Sequence, residues 1–357
     1  MNNLVLPPAP SIADIKALIR RESRRVTSYD VATLAGVSQS AVSRCFKPGA
    51  SVSKATYKRV MQAAQELDYI PNAAARSLIT RRSNQVALII SNVAALHFPE
   101  ILAEMSRHFS RGGMRILLFA LPSEGDVGQA LAEVWQHQVD GAVVAACLDA
   151  AQVAEFEQRG VPFVLFNRTL RERAVNAIVC DQVEAARLIV SRLAAAGHKR
   201  FAMIEGPHDS VIAQDRTRGV ADRLAELGLA APLIVAGEYD YASGARGMRE
   251  IASRINAIPD AIVCGNDVMA IGCLDTARHE MKLSVPGQVS ITGFDGITQA
   301  AWLSYNLTTL RQPMQAMALA ASDMLGALIA DNSTCPQRRV FSATVVEGAT
   351  ARLGPAF

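Results

Sequence analysis

The stretch that decides the fold is residues 26–46, VTSYDVATLAGVSQSAVSRCF. It reads as two short helices joined by a tight turn. Thr27 is suited to cap the first helix, and Asp30, three residues on, can answer its backbone as in a capping box. Val31, Leu34 and Ala35 fall on one helical face, and Ala32 is small enough for a second helix to cross closely. Gly36 takes a left-handed backbone without a Cβ clash and so ends the helix. Val37 plugs the core from the turn. Ser38 caps the second helix, whose buried side is Ala41, Val42, Cys45 and Phe46. Its free face carries Gln39, Ser40, Ser43 and Arg44, side chains that hydrogen-bond base edges and phosphates. On this pattern alone a plain helical hairpin and a DNA-binding helix-turn-helix fit equally well.

The next residues extend the pattern. Lys47-Pro48-Gly49-Ala50 is a turn. Ser53 is an N-cap and Val52 a hydrophobic staple for a third helix that runs to about Asp68 and buries Val60, Ala64 and Leu67. Tyr69-Ile70-Pro71 stops it. Asn72 then caps a short Ala-rich segment, residues 73–79, which is marginal as an isolated helix.

The pieces VTSYDVATLAGVS, AVSR, VSKATYKRV, AAQELDYIPN and AARSL keep their order and spacing over more than fifty residues. The run from 26 to 78 resembles the DNA-binding headpiece of the lactose-repressor (LacI) family of bacterial transcription regulators. The resemblance implies that residues 73–79 are a hinge helix. Such a helix folds on operator DNA, pairs with its dimer mate and wedges Leu78 into the minor groove, which bends the duplex. Arg76, Arg81 and Arg82 surround that wedge. The expected DNA-facing residues are Thr27, Ser28, Ser38, Gln39, Ser40, Ser43, Arg44, Ser53, Lys54, Asn72, Arg76 and Leu78. Two positions depart from the family pattern. Ala41 stands where the family commonly has Thr, and Lys47-Pro48-Gly49 where it commonly has Asn-Gly. Both bear on which operator is read.

Charge distribution points the same way. Net charge over the 357 residues is only +3, but residues 1–82 hold 13 Lys and Arg against 5 Asp and Glu. The remainder carries 23 basic and 28 acidic residues. A basic N-terminal module on a mildly acidic body is the footprint of a nucleic-acid binder with a separate regulatory part. Residues 1–25 precede the headpiece and are expected to be a flexible, Pro-rich extension. Within it 12–19 can form a short amphipathic helix that brings Arg20, Arg21, Arg24 and Arg25 towards phosphates.

The length calls for two or three domains, and an apolar half of the residues gives each a core. The six cysteines form no Cys-x-x-Cys and read as buried, reduced thiols. No ligand spacing appears among the histidines, so neither metal nor cofactor is expected. The N-terminus is no secretory signal, and no apolar run approaches a membrane span. A cytoplasmic protein is expected.

From residue 85 short apolar strands alternate with helices. Strands are expected at 86–90, 115–120, 141–145, 163–166 and 178–180, with helices at 99–112, 127–138, 150–160 and 182–196. A second set has strands at 201–204, 233–236, 261–264 and 290–293, and helices at 213–227, 243–255, 266–279 and 313–330. This is α/β architecture: two parallel sheets flanked by helices, with ligands at the carboxyl ends of the strands. It also resembles the family's periplasmic-binding-protein-like clamshell. The expected division is an extension at 1–25, a headpiece at 26–71, a hinge at 72–83, an effector-binding and dimerisation domain at 84–350, and a tail at 351–357. No heptad pattern closes the sequence, which suggests a homodimer.

Residues just after strands are the candidates for the cleft. IVCGNDVMAIGCL resembles the family segment whose Asp contacts effector, which marks Asp267; Asn266 reads as the cap of its helix. Arg216 aligns with the family's effector-binding Arg. Asn167 stands where the lactose repressor has Asp, so the effector should differ. Tyr239 matches a stacking aromatic, Phe98 lies in the first post-strand loop beside His97, and Asp295 follows a late strand in GFDG. The implied effector is a sugar or sugar acid, with a purine less favoured. The alternatives are a sugar-binding transport receptor, which lacks a headpiece, and an α/β enzyme. No Gly-x-Ser-x-Gly, phosphate loop or Gly-x-Gly-x-x-Gly supports the enzyme.

Overall fold

The computed structural model describes residues 11–47, 49–71, 82–91, 98–121, 126–170, 173–254, 258–331, 333 and 335–355, without the side chains of Phe98 and Glu100. The chain divides into two compact units, Met1–Ser83 and Asn84–Phe357.

In the first unit four helices share one core: α1 (Ile12–Arg21), α2 (Ser28–Ala35), α3 (Gln39–Cys45) and α4 (Lys54–Glu66). Val31, Ala32, Ala35, Val42, Val60, Ala63, Ala64 and Leu67 are buried together. Gly36 closes α2 at φ 60° and ψ 43°, in the left-handed region that the turn requires. Ser38 Oγ accepts the Ala41 N–H at 3.3 Å, and Ser53 Oγ that of Thr56 at 3.2 Å, so both expected caps form. Ala41 itself is only half-buried, while Val42 takes the centre of the contact.

The short helix expected at 12–19 within the extension is present as α1, while the Pro-rich start, residues 1–10, lies outside the described residues. Ser11 and Asp14 form a capping box at the start of α1. Ile15 is buried in the headpiece core, with Ile19 packed at its edge. Burying such a side chain is worth ~1.5–3 kcal/mol, enough to hold a short helix that would fray alone.

The second unit holds a six-stranded sheet in the order β11-β5-β4-β3-β1-β2 and a four-stranded sheet in the order β7-β6-β8-β9. The first comprises β1 (Gln85–Ser91), β2 (Arg115–Leu121), β3 (Gly141–Ala145), β4 (Phe163–Phe166), β5 (Ala177–Cys180) and β11 (Arg338–Phe341). The second comprises β6 (Phe201–Ile204), β7 (Leu233–Val235), β8 (Ala261–Cys264) and β9 (Ser290–Thr292). All pairings within the two sheets are parallel. Alternation along each strand sorts the side chains into separate cores. Leu88, Val143 and Val164 join Met203 and Val263 in one core, whereas Ile89, Val144 and Leu165 face another. Ala202, Ile204 and Ile262 build a third.

The intervening helices are α5 (Phe98–Arg111), α6 (Val127–Gln136), α7 (Ala150–Gln158), α8 (Gln182–Ala195), α9 (Val211–Glu226), α10 (Tyr241–Arg254), α11 (Asp267–Asp275) and α12 (Met314–Ala330). The chain passes between the sheets three times: after β5, after β10 (Thr309–Arg311), whose successor α12 packs back on β3–β5, and between β11 and β12 (Thr344–Val346). The strands β10, β11 and β12 are absent from the sequence-based expectation. β10 and β12 are three residues each and pair antiparallel, and β11 is an exposed edge, so none shows a buried apolar run. Among the described residues no helix is long and apolar enough to cross a membrane. Cys180, Cys264 and Cys273 are buried, but Cys147 and Cys335 are exposed.

Candidate nucleic-acid interface and effector cavity

In the headpiece, α3 begins beside the start of α2. Gln39 Nε2 donates to Ser28 Oγ at 3.2 Å, and the Ser38 and Ser40 hydroxyls lie 3.0 Å apart. Ser38, Ser40, Arg44, Ser53 and Lys54 are exposed, and Thr27, Ser28, Gln39 and Ser43 half-buried. Tyr29, passed over in the sequence, is exposed next to Ser28 and adds an aromatic to the same end. Asn72, Arg76 and Leu78 lie outside the described residues.

In the second unit, strand ends and helix starts converge on a cavity of about 60 Å³. Asn167 and Arg168 follow β4, Ser210 and Arg216 come from the start of α9, Tyr239 follows β7, Asn266 follows β8, Asp295 follows β9 and Gln312 follows β10. Asn167, Tyr239 and Asp295 have φ of 52°, 61° and 115°. Non-glycine residues pay to adopt such angles, and this cost concentrates where side-chain placement matters.

The lining is hydrogen-bonded to itself. Arg216 is 4% exposed. Its Nη2 donates to Asp295 Oδ1 at 2.7 Å and its Nε to Gln182 Oε1 at 2.8 Å, while Nη1 donates to the Gly265 carbonyl. The guanidinium lies 3.6 Å from the centre of the Phe294 ring, a cation–π contact shielded from water. Gln182 Nε2 donates to Asn167 Oδ1 and to Gln312 Oε1, both at 3.2 Å. Asn167 Nδ2 donates to Gln312 Oε1 at 3.0 Å, and Gln312 Nε2 to Asp295 Oδ1 at 2.8 Å. The Tyr239 hydroxyl is buried and makes no hydrogen bond of good geometry among the described residues, although the Ser210 side chain lies beside it. Its ring lies over Gly206, where any Cβ would collide with it at 2.2 Å. Burial pushes the Tyr239 phenol above its ordinary pKa.

Asp267 does not reach this cavity. It is fully buried behind it. Its Oδ2 accepts the N–H groups of Gly296 and Ile297 at 2.7 and 2.8 Å, and its Oδ1 accepts the Thr309 hydroxyl. The carboxylate thus fastens the turn after Asp295 to β10. Burial, with the Asp295 charge second, pushes its pKa up to about 7. The neighbouring Asn266 lines the cavity instead, while its Oδ1 caps α11 at Met269 N and its Nδ2 donates to the Tyr239 carbonyl. The side chain of Phe98, and His97, lie outside the described residues.

Comparison with known proteins decides the family. Residues 27–72 match the model for bacterial regulatory proteins of the lacI family, and residues 190–351 that for a periplasmic binding protein-like domain. The chain is 32% identical over 325 residues to the HTH-type transcriptional regulator GalR of Escherichia coli, covering 90% of this chain and 94% of GalR. The chain belongs to the LacI family. Among solved structures, a lac repressor dimer bound to operator superposes with a TM-score of 0.82 at 26% identity, covering 92% of this chain and 99% of that one. The transcriptional regulator CelR in complex with cellobiose gives 0.70 at 28% identity, covering 92% and 100%.

This LacI-family member is therefore a DNA-binding transcription regulator with a ligand-binding domain, and not an enzyme. Sequence reasoning missed Gln182, Gln312, Asn266, Arg168 and Ser210. Gln182 and Gln312 sit at two of the crossings between the sheets, so their network ties both halves of the domain to the cavity wall. Their one visible signal was position, each following the end of a strand.

Proposed function

We propose that the protein is a dimeric, cytoplasmic repressor of operator-borne genes whose DNA affinity is set by a sugar or sugar acid in the cavity. The observation that carries this reading is the ring of polar side chains from five strand ends and the start of α9 around Arg216. A polyhydroxylated ligand loses water from every hydroxyl on entry and needs paired donors and acceptors in return. Asn167, Asn266, Asp295, Gln312 and Tyr239 offer both kinds. Two guanidinium groups, Arg168 and Arg216, against the single carboxylate of Asp295 favour an acidic sugar over a neutral one. The relative CelR, solved with cellobiose, supports the sugar class. The lac repressor, solved as an operator-bound dimer, supports the dimer. Ligand pockets generally need ~300 Å³ or more, so the ligand must part the Arg216–Asp295–Gln312 network as it enters. That exchange couples occupancy to the two halves the network joins.

On the DNA side, Ser38, Gln39, Ser40, Ser43 and Arg44 read bases, with Thr27, Ser28, Ser53 and Lys54 on phosphates. Asn72, Arg76 and Leu78 make the hinge contacts. Two reading helices then require a near-palindromic operator. The test pairs two measurements. A thermal-shift panel of sugars, sugar acids and nucleobases should yield a ligand that raises the melting temperature by mass action. Arg44→Ala should keep that shift and lose ~1–3 kcal/mol of operator affinity at particular base positions. A panel without any stabilising sugar or sugar acid, or an Arg44→Ala protein that reads its operator as before, would overturn the reading.

A further inference from the structure

The N-terminal extension is fastened to the helix-turn-helix at two points. Ile15 enters the headpiece core beside Val31 and Val60. Beyond the end of α1, Arg24 donates from Nη1 and Nη2 to Asp30 Oδ2 and Oδ1 at 2.7 and 2.8 Å. Its Nε is held by Glu22 at 2.6 Å. Asp30 is the residue that also accepts the Thr27 N–H at 2.8 Å and the Thr27 hydroxyl at 2.7 Å, at the mouth of α2. The Arg24 guanidinium holds its carboxyl down to about 2. Arg24 is thereby spent on protein and has no fork left for DNA.

The clamp has a consequence for its neighbours. Arg25 stands three residues before Ser28, and Ser28 receives the amide of Gln39, the first residue of the reading helix. The segment therefore ends at the reading edge of the headpiece, held there by Asp30. Arg20, Arg21 and Arg25 are exposed. Residues 11–25 carry five basic and two acidic side chains, and one of those acids, Glu22, is engaged by Arg24.

We propose that Arg20, Arg21 and Arg25 form a second phosphate-binding site, which extends the headpiece's footprint along the DNA backbone that flanks each half-site. This rests on the reading that the headpiece binds operator. Phosphate contacts carry no base information, so they add affinity and salt dependence without changing which sequence is preferred.

The test uses the full-length protein with Arg20→Ala, Arg21→Ala and Arg25→Ala combined, changes that leave Ile15 and the Arg24–Asp30 clamp in place. Operator affinity is measured across a salt series. Each phosphate contact contributes ~0.9 to the slope of log affinity against log salt, so the slope should fall by about two to three. The preference for operator over a scrambled duplex should stay at its wild-type value, and hydroxyl-radical protection should retreat from the flanks. An unchanged slope with an unchanged footprint overturns the proposal, as does a loss confined to operator sequence with the slope retained. Arg254→Ala, an exposed charge on the second unit, serves as control and should leave the slope alone. A wild-type protein that ignored the operator altogether would instead strike down the parent reading.

Discussion

Gln39 in the headpiece and Gln182 in the effector domain are the same side chain under opposite regimes. Gln39 is half-buried and holds one partner, Ser28, eleven residues away. Gln182 is buried and holds Asn167, Gln312 and Arg216, at separations of 15, 130 and 34 residues. The headpiece presents its functional groups to solvent, so losing one should cost binding and nothing else. The cavity has already paired its groups with one another, so losing one should cost the fold first and the ligand second. Function and stability are separable in one region and entangled in the other.

Arg216→Ala should show the largest effect. It removes the cation opposite Asp295 and leaves Gln182 Oε1 and the Gly265 carbonyl without their donor. Breaking a buried ion pair from one side costs ~3–5 kcal/mol, because the remaining charge is left uncompensated. For a domain of this size the melting temperature should fall by roughly 10 °C, whereas Arg44→Ala should melt with wild type. Equal melting of the two variants would erase the contrast between the regions.

That contrast also explains what was legible in the sequence. The caps and turn of the helix-turn-helix are made by partners within a dozen residues, and Thr27, Asp30, Gly36, Ser38 and Ser53 stand in a fixed local spacing. The alternation of the parallel strands was equally local, and so were the post-strand positions of Asn167, Tyr239 and Asp295. The wall of the cavity was not. Gln182 and Gln312 meet only because the chain crosses between sheets there, and no periodicity announces a crossing. Asn266 and Asp267 are adjacent after β8, and spacing cannot tell which of them faces the ligand. Asn266 turns to the cavity, and Asp267 is drawn back by Gly296, Ile297 and Thr309.

The burial of Asp267 sharpens the comparison through pH. Its pKa rises from 3.8 to about 7 on folding. The folded state therefore binds a proton that the unfolded state has released. The resulting stability is fully present below about pH 4 and is lost as pH climbs through 7. A rise of this kind corresponds to at most about 4 kcal/mol. Asp267→Asn retains the two backbone contacts, and its amide can donate to Thr309. Between pH 4 and 7, melting of wild type should fall relative to the variant, and parallel curves would show that Asp267 folds already ionised. Asp30, held down to about 2 by Arg24, acts in the opposite sense and at lower pH, so the headpiece does not mimic the effect.

The smallest expected effect asks whether any cavity residue behaves like a headpiece residue. Tyr239 is the candidate, because its buried hydroxyl makes no hydrogen bond of good geometry among the described residues, with only a loose approach from the Ser210 side chain beside it. A buried polar group without a hydrogen bond is a liability to the folded state, not a support. Tyr239→Phe keeps the ring on Gly206 and the left-handed backbone at that position, and removes only the oxygen. Without ligand the variant should therefore melt at the wild-type temperature or up to ~3 °C above it, about 1 kcal/mol. If the hydroxyl is held in reserve for a ligand hydroxyl or carboxylate, the cost appears only on binding. The effector concentration at half-response should rise about 2- to 12-fold, the worth of one net hydrogen bond. A lowered melting temperature would mean that the oxygen already has a partner in the folded protein. An unchanged effector response would mean that the ring, and not the oxygen, meets the ligand. Only the combination of an undisturbed fold and a weakened response makes Tyr239 a group that, like Gln39 and Arg44, is kept for the molecule that arrives.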